Sequence, residues 1–304
     1  MIDSAIAVTF AAAAIRVGTP LALAAIGEAI TEKSGVINLG IEGAMLAGAF
    51  GAAAGAAQGG VVAGVIAGTV AGAIVSALFA AIVVGARVDQ IIAGTAVTLG
   101  ATGLTGLLAQ RIWGTGGAGL SLPTMLVTPV PLLGDLPFVG PMLFRQSLLT
   151  YVAYMAMPLA GWLLFRTRFG LELRASGESP SAAEAEGVRV GRVRFIATSI
   201  GGACAGLAGA TLVLAQVGTF TERMTGGRGF IAIVIVALGR WHPRGVALAA
   251  LLFGAATALQ YLFQASGSGV PYQLFVAFPY LLALAVLSIA VGRNRGPAAL
   301  GQPH

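Results

Sequence analysis

The chain has 304 residues, of which 57% are hydrophobic and 9% are charged, and its formal net charge is +6. A soluble domain carries about 25% charged residues, so this composition excludes a water-exposed globular fold. The positive charge does not indicate nucleic acid, because the arginines lie at the ends of apolar runs and aromatic-rich basic patches are missing.

Repeated apolar runs of about 20 residues predict an all-α polytopic membrane protein with one transmembrane domain, residues 1–304. Eight runs are long enough to cross a bilayer: 5–30, 36–57, 60–85, 90–111, 144–165, 193–215, 244–264 and 271–292. A ninth, 229–239, would be only about 16 Å long as a helix, which is too short to cross. We therefore predict eight full spans and one re-entrant half-helix.

Two polar connections interrupt the apolar pattern. The loop 112–143 contains five prolines, which exclude one regular helix and favour an ordered loop. The loop 166–194 carries six arginines and a short predicted helix near its centre. Ser179 and Pro180 suit the start of that helix, and Gly187 suits its end.

The basic residues predict the orientation. With loop 166–194 in the cytoplasm, twelve basic residues lie inside and four outside, as the positive-inside rule requires. The inside set is Lys33, Arg87, Arg166, Arg168, Arg174, Arg189, Arg192, Arg194, Arg240, Arg244, Arg293 and Arg295; the outside set is Arg111, Arg145, Arg223 and Arg228. Arg16 falls within the first span. We therefore predict a cytoplasmic carboxyl terminus and, with nine segments, an external amino terminus.

A faint internal repeat is visible. GIEGAMLAGAF at 40–50 resembles GFIAIVIVALG at 229–239, and each is followed by a turn and a helix of small residues. The predicted topology gives the two copies opposite directions, which indicates a possible inverted repeat. In transporters of that kind the pathway tends to lie at the repeat interface.

Polar residues at membrane depth are the candidates for a solute path. Asn38 and Glu42 are spaced by one helical turn, so on a helix they would share a face. The full candidate set for the pathway is Asn38, Glu42, Gln90 and Gln216, with Glu28, Asp89 and Gln260 as further polar residues near span ends. For any one of them, helix–helix hydrogen bonding is the alternative role.

The sequence contains no recognisable catalytic or metal-ligand set. The stretch from Gly27 to Ser34 has Glu32 where a phosphate-binding loop requires glycine. The two histidines provide no zinc ligand set, and Cys204, the single cysteine, can form no internal disulfide. We expect no cofactor and no enzymatic activity in this chain.

Three stretches together resemble the permease subunits of ABC importers in the branched-chain amino acid, ribose and nucleoside group. They are TPLALAAIGEAITEKSGVINLGIEGAMLAGAF (19–50), RTRFGLELRASGESPSAAEAEGVRVGRVRFIA (166–197) and GTFTERMTGGRGFIAIVIVALGRWHPRGVALAALLFGAATALQ (218–260). They cover about a third of the chain. The pairing of SGVINLGIEG with GRGFIA and GRWHP is most similar to the nucleoside-type members.

The resemblance implies a cytoplasmic coupling helix that docks on an ATP-binding cassette subunit. The matching positions are Glu178, Pro180, Ala182, Ala183, Glu184 and Gly187. Ser181 stands where the family often has a basic residue, so this chain lacks the side chain for an ion pair at that position. The resemblance further implies a second, homologous permease subunit, which would form a heterodimer with this chain. It also implies an external solute-binding protein, and the loop 112–143 would be part of the surface on which that protein docks. It places the chain in the bacterial inner membrane.

Alternative functions remain open at this point. The solute of such a permease could instead be a simple sugar or a branched-chain amino acid. An ion-coupled secondary transporter would need buried acids, for which Glu28 and Glu42 are the candidates. An integral-membrane enzyme is disfavoured because no catalytic set is present.

Overall fold

The computed structural model describes residues 2–114, 121–265, 272–290 and 296–302. The helices in these ranges are α1 Ile2–Lys33, α2 Ile41–Ala80, α3 Gln90–Trp113, α4 Leu148–Arg166, α5 Arg168–Glu178, α6 Pro180–Ala185, α7 Val190–Thr211, α8 Arg228–Leu238, α9 Pro243–Ala265 and α10 Tyr272–Ala290. Short π-helical segments cover Ala81–Gly85, Gly140–Phe144 and Leu212–Val217. The predicted all-α class is confirmed, apart from one small antiparallel ribbon of β1 Val127–Pro129 and β2 Arg145–Ser147.

Within the described residues, six helical segments are long and apolar enough to cross a membrane. They are Ile6–Lys33, Ile41–Gly85, Gln90–Trp113, Leu148–Arg166, Val190–Val217 and Pro243–Gln264. The second contains two antiparallel arms, 41–58 and 61–80, because Gly59 and Gly60 leave the helical conformation and Gly60 has φ of 75°. The total of eight full spans stays a prediction.

The first arm of α2 begins later than predicted. The run 36–57 was predicted to be one span, but residues 34–40 are extended or turn-like and the helix begins at Ile41. Hydropathy could not reveal this, because Val36, Ile37 and Leu39 are apolar in either conformation. Helix α8 is short, as predicted, and a left-handed Gly227 precedes it.

The two halves of the chain have an inverted relation. Helix α1 runs antiparallel to α7, since Gly27 lies against Gly201 and Thr31 donates to the carbonyl of Ala197. After α1 come an extended segment, the first arm of α2 and its return arm. After α7 come residues 218–227, α8 and its return helix α9. The return arm of α2 lies antiparallel on α7, and α9 lies antiparallel on α1.

Small residues allow these helices to pack closely. The buried face of α7 includes Gly202, Ala205, Gly206 and Gly209. A β-carbon at Gly72 on the return arm of α2 would collide with the backbone of Gly202 and Gly206. Contacts of this kind between glycine-rich faces are typical of transmembrane helix interfaces, because backbones can approach closely.

Candidate solute pathway and coupling surface

The extended segment 34–40 is held in the protein interior by polar side chains from three helices. The backbone N–H of Asn38 donates to Glu28 Oε1 on α1 at 2.8 Å, and its side-chain amide donates to Ser76 Oγ on α2 at 3.1 Å. Gln90 Oε1, at the start of α3, accepts from the N–H of Ile37 at 2.8 Å. The bonds to Glu28 and Gln90 satisfy backbone N–H groups that a helix would have satisfied internally, as a membrane interior requires.

Asn38 and Glu42 do not share a helix face, which corrects the sequence prediction. Asn38 lies in the extended segment, whereas Glu42 is in the first turn of α2. Glu42 Oε1 accepts from Thr225 Oγ1 at 2.6 Å and from the N–H of Gly227 at 2.8 Å, and Oε2 accepts from the N–H of Gly229 at 2.7 Å. Its carboxylate therefore caps the start of α8.

The amino termini of α2 and α8 meet at Glu42. Gly229 has no side chain, and a β-carbon there would lie 2.7 Å from the Glu42 backbone, so the two helix ends are in direct contact. Each helix terminus carries a partial positive charge and unpaired N–H groups. The single carboxylate between them supplies both the acceptors and the negative charge that this arrangement needs.

A polar cavity opens beside the start of α8. It consists of two adjoining spaces, of about 440 Å³ and about 180 Å³, which share Val17, Arg228 and Tyr261; we call it the Arg228 cavity. Its polar and aromatic lining includes Arg16, Gln216, Gln260, Arg228, Tyr261 and Tyr280. Val17 is near the midpoint of α1, so the cavity reaches the middle of the bundle.

Hydrogen bonds fix several of these lining groups. Gln216 Nε2 donates to the carbonyl of Arg16 at 2.8 Å, and Arg228 Nη1 donates to the carbonyl of Met224 at 2.8 Å. The Tyr280 hydroxyl donates to the carbonyl of Gly226. The cavity thus offers guanidinium groups, amides and two partly exposed tyrosine rings to a bound solute.

The predicted pathway residues therefore fall into two groups. Gln216 lines the Arg228 cavity, whereas Asn38, Glu42 and Gln90 are buried and make the bonds described above. Sequence reasoning placed Arg228 in an external loop, but it begins α8 at the level of Val17. It assigned no role to Arg16 or Tyr261. A charged residue inside the first apolar run was the signal that could have directed attention to Arg16.

Two buried carboxyl groups lie near the end of α1. Glu28 and Glu32 are one turn apart on α1 and both are fully or almost fully buried. Glu32 accepts from the indole N–H of Trp241, in the turn between α8 and α9. One carboxyl oxygen of each glutamate has no hydrogen-bond partner among the described residues.

The predicted coupling segment folds into two short helices. Helix α6 spans Pro180–Ala185, and Gly187 has φ of 86° just beyond its end. Ser179 occupies the N-cap position, but its hydroxyl makes no capping hydrogen bond, contrary to the prediction. Ala183 is only 5% exposed because it faces the body of the protein, whereas Ala182 is exposed.

The carboxyl-terminal segment 296–302 lies against this region. The N–H of Ala299 donates to the carbonyl of Gly177 at 2.9 Å, and that of Gly301 donates to Gly35 at 3.0 Å. Buried Arg194 donates through Nε to the carbonyl of Ser34 and through Nη1 to that of Gln302. The tail therefore joins the end of α5 and the start of α7 to the extended segment 34–40.

The loop between α3 and α4 is ordered where the structure describes it, at 114 and 121–147. Strands β1 and β2 pair Val127 with Ser147 and Pro129 with Arg145. The N–H of Leu122 donates to the carbonyl of Gly218 and that of Met125 to Leu214. The loop thus covers the end of α7 nearest the Arg228 cavity.

A bundle of apolar helices long enough to cross a membrane, with a short apolar helix α8, a cavity beside its start and the surface helix α6, is the architecture of a membrane transport subunit. The chain belongs to the family described as the branched-chain amino acid transport system / permease component, whose model matches residues 10–287. The resemblance to ABC permeases is thereby confirmed. Proteins of this family are permease subunits, not enzymes, and work with an ATP-binding cassette subunit and a solute-binding protein.

Curated relatives match over nearly their whole length. The chain is 35% identical to the "Putative glucose ABC transporter permease protein TsgC13" of Haloferax volcanii, covering 96% of each chain. It is 33% identical to the guanosine ABC transporter permease protein NupQ of Bacillus subtilis, covering 94% of this chain and 92% of the relative. Identity is also 33% to the nucleoside ABC transporter permease protein NupC of Lactococcus lactis, at 93% and 92% coverage. No solved structure matches significantly.

Proposed function

We propose that this chain is the permease subunit of an ATP-driven importer for a nucleoside or a related ribose-containing solute, which an external binding protein delivers. The observation that carries the proposal is the Arg228 cavity beside the start of α8, with its guanidinium groups, amides and tyrosines. Similarity to two relatives named for guanosine and nucleoside transport supports the same solute class.

The chemistry of the cavity suits a nucleoside. Tyr261 and Tyr280 are 45% and 43% exposed, so each can offer a ring face on which a base stacks. The amides of Gln216 and Gln260 can pair with ribose hydroxyls or the edge of the base. Glu42 would act on the pathway by fixing the start of α8, which borders the cavity, whereas Asn38 and Gln90 fix the segment 34–40 that leads into α2.

A sugar permease is the second candidate, favoured by the similarity to the relative named for glucose. A nucleoside has an aromatic base and glucose has none, so a substitution of Tyr261, on which a base could stack, distinguishes the two solutes. For a nucleoside, Tyr261→Leu should raise the uptake KM by about 5- to 150-fold, which corresponds to the usual value of one base–aromatic stack. For a sugar the change should be small.

We further propose that α6 is the coupling helix and faces the cytoplasm of a bacterial inner membrane. The exposed surface of α6, which includes Ala182, would contact the ATP-binding subunit, while buried Ala183 holds the helix on the permease. Rigid-body movement of the docked helix would then switch the bundle between its outward and inward openings. The second permease of the assembly would be a homologous chain, forming a heterodimer.

Reconstitution tests the function directly. The chain, its partner permease, the ATP-binding subunit and the binding protein are placed in vesicles, and uptake of radiolabelled guanosine and glucose is measured. We expect guanosine uptake that requires ATP. Uptake driven by a proton or sodium gradient without the ATP-binding subunit would overturn the importer mechanism, and ATP-dependent uptake of glucose alone would overturn the solute class.

The coupling role has its own test. Ala182→Arg should leave the permease folded and able to bind the second permease. ATP hydrolysis should no longer produce transport, because the surface that docks on the ATP-binding subunit is obstructed. Ala86→Arg is a matched control, since Ala86 is also exposed and lies outside the segment 166–194. Equal coupling in the two variants would exclude the exposed face of α6 as the docking surface.

A further inference from the structure

A groove on the outside of the bundle, between α4 and α9, has two different parts. At the end where α4 finishes and α9 begins, a cavity of about 580 Å³ is lined by Arg166, Arg244, His242, Trp162 and Phe165 among others. A second cavity, of about 180 Å³, is almost wholly apolar and is lined by Tyr154, Ala153, Leu251 and Gly18 among others. Met157 and Ala247 line both, so the two form one continuous groove, the α4/α9 groove.

The wider part of the groove carries positive charge with no compensating carboxylate. Arg166 is the last residue of α4 and Arg244 is in the first turn of α9, and both are exposed. No aspartate or glutamate is among the described residues that line this cavity. The start of α9 adds its own partial positive charge. Two guanidinium groups beside a helix amino terminus are a favourable environment for a phosphate group.

Aromatic residues shape the same part. Phe165 stacks on His242 with ring centroids 5.3 Å apart, and the guanidinium of Arg174 lies 5.3 Å from the Phe165 ring centroid. Trp162 is 59% exposed beside them. Tryptophan at this position is typical of the boundary between hydrocarbon and headgroups. The charged part of the groove is therefore at headgroup level.

The apolar part extends through one leaflet. Tyr154 precedes Arg166 by 12 residues on the same helix, which corresponds to about 18 Å along α4. Half of a bilayer core is about 15 Å thick. A free phosphate would use only the charged part of the groove, whereas a phospholipid would fill both parts at once.

We propose that the α4/α9 groove binds an anionic phospholipid, with its phosphate between Arg166 and Arg244 and an acyl chain along Met157 and Ala247. The lipid would lie at the α4–α9 contact, beside the turn that carries Trp241. The site is separate from the Arg228 cavity, so lipid binding does not depend on which solute is transported.

Lipid binding to the purified chain tests the proposal. Phosphatidylglycerol and phosphatidylcholine are titrated and bound lipid is counted by native mass spectrometry. Wild-type protein should retain phosphatidylglycerol preferentially. The double variant Arg166→Gln, Arg244→Gln should bind it about 30-fold more weakly, a factor of about five for each arginine. The control Arg189→Gln, Arg192→Gln removes the same charge at the same end of the bundle and should retain the lipid.

A third variant separates a lipid from a free anion. Ala247→Phe blocks the junction of the two cavities without changing charge, so it should weaken phosphatidylglycerol binding while leaving any stabilisation by inorganic phosphate unaltered. Three results would overturn the proposal: unchanged lipid binding in the Arg166/Arg244 variant, an equal loss in the control double variant, or phosphate stabilising the protein as strongly as lipid with no effect of Ala247→Phe.

Discussion

Glu42 shows how one side chain can join the two halves of this bundle. Three donors, from Thr225, Gly227 and Gly229, converge on its two oxygens, and all belong to the second half of the chain. A hydrogen bond to a charged group contributes about 1.5–3 kcal/mol, and an unsatisfied buried partner costs a similar amount. The position therefore demands a carboxylate, since an amide has only one accepting atom.

The variant Glu42→Gln tests this requirement. One accepting oxygen becomes an N–H₂ group that cannot receive the N–H of Gly227 or Gly229, so we expect a loss of about 1–3 kcal/mol in the free energy of unfolding. Thermal unfolding in detergent measures it. Glu222→Gln is the matched control, because Glu222 is exposed and accepts a single bond from Gln110. Equal melting temperatures for the two variants would contradict the capping role.

The sequence could identify Glu42 as important without revealing why. Its spacing from Asn38 suggested a shared helix face, and that geometry was wrong because Asn38 belongs to an extended segment. The three donors to Glu42 are more than 180 residues away in the sequence. They are backbone N–H groups and a hydroxyl, which carry no hydropathy signal. Long-range capping of this kind depends on the tertiary fold alone.

At the scale of elements, the sequence predicted most helices correctly because each is a long apolar run. It also located the short α8 and the turn between the arms of α2. It missed the extended segment 34–40, whose apolar residues suit a helix equally well, and the ribbon of β1 and β2, whose pairing joins residues 16 to 20 positions apart. In both cases hydrogen bonds to distant groups decide the backbone conformation.

Helices α2 and α7 pack closely, and a substitution at Gly72 tests this contact. At Gly72 an added methyl group would meet the backbone of Gly202 and Gly206, which cannot move aside as a side chain can. We expect Gly72→Ala to destabilise the protein by about 1–3 kcal/mol through overpacking.

Gly100→Ala is the control, and we expect it not to destabilise the protein. No atom of the described residues lies within 4 Å of a β-carbon at Gly100, which is in the middle of α3. Alanine there should be neutral or stabilising by up to about 1 kcal/mol, because it raises helix propensity. If both variants shifted the melting temperature in the same direction, close packing of α2 on α7 would not be what determines the effect at Gly72.

At the scale of the whole molecule, the carboxyl-terminal segment 296–302 connects regions that are far apart in sequence. It bonds to Gly35 in the extended segment 34–40 and to Gly177, the penultimate residue of α5, just before α6. Arg194 at the start of α7 holds the carbonyls of Ser34 and Gln302 together. A displacement of α5 and α6 would therefore reach residues 34–40 and, through the bond of Asn38 to Glu28, helix α1.

Deleting residues 296–304 tests this connection. The deletion removes both backbone bonds and one of the two carbonyl partners of Arg194, so amide hydrogen exchange should become faster at 34–38 and 175–179 and remain unchanged at the Gly72–Gly202 contact. In the reconstituted importer, ATP hydrolysis should continue while solute uptake per ATP falls, because movement of α6 no longer reaches the extended segment 34–40. Deleting only residues 303–304 leaves every one of these bonds in place and should alter neither measurement. Unchanged exchange and full coupling after the longer deletion would mean that force passes from α6 to the pathway through α7 alone, with the tail as a passive cover.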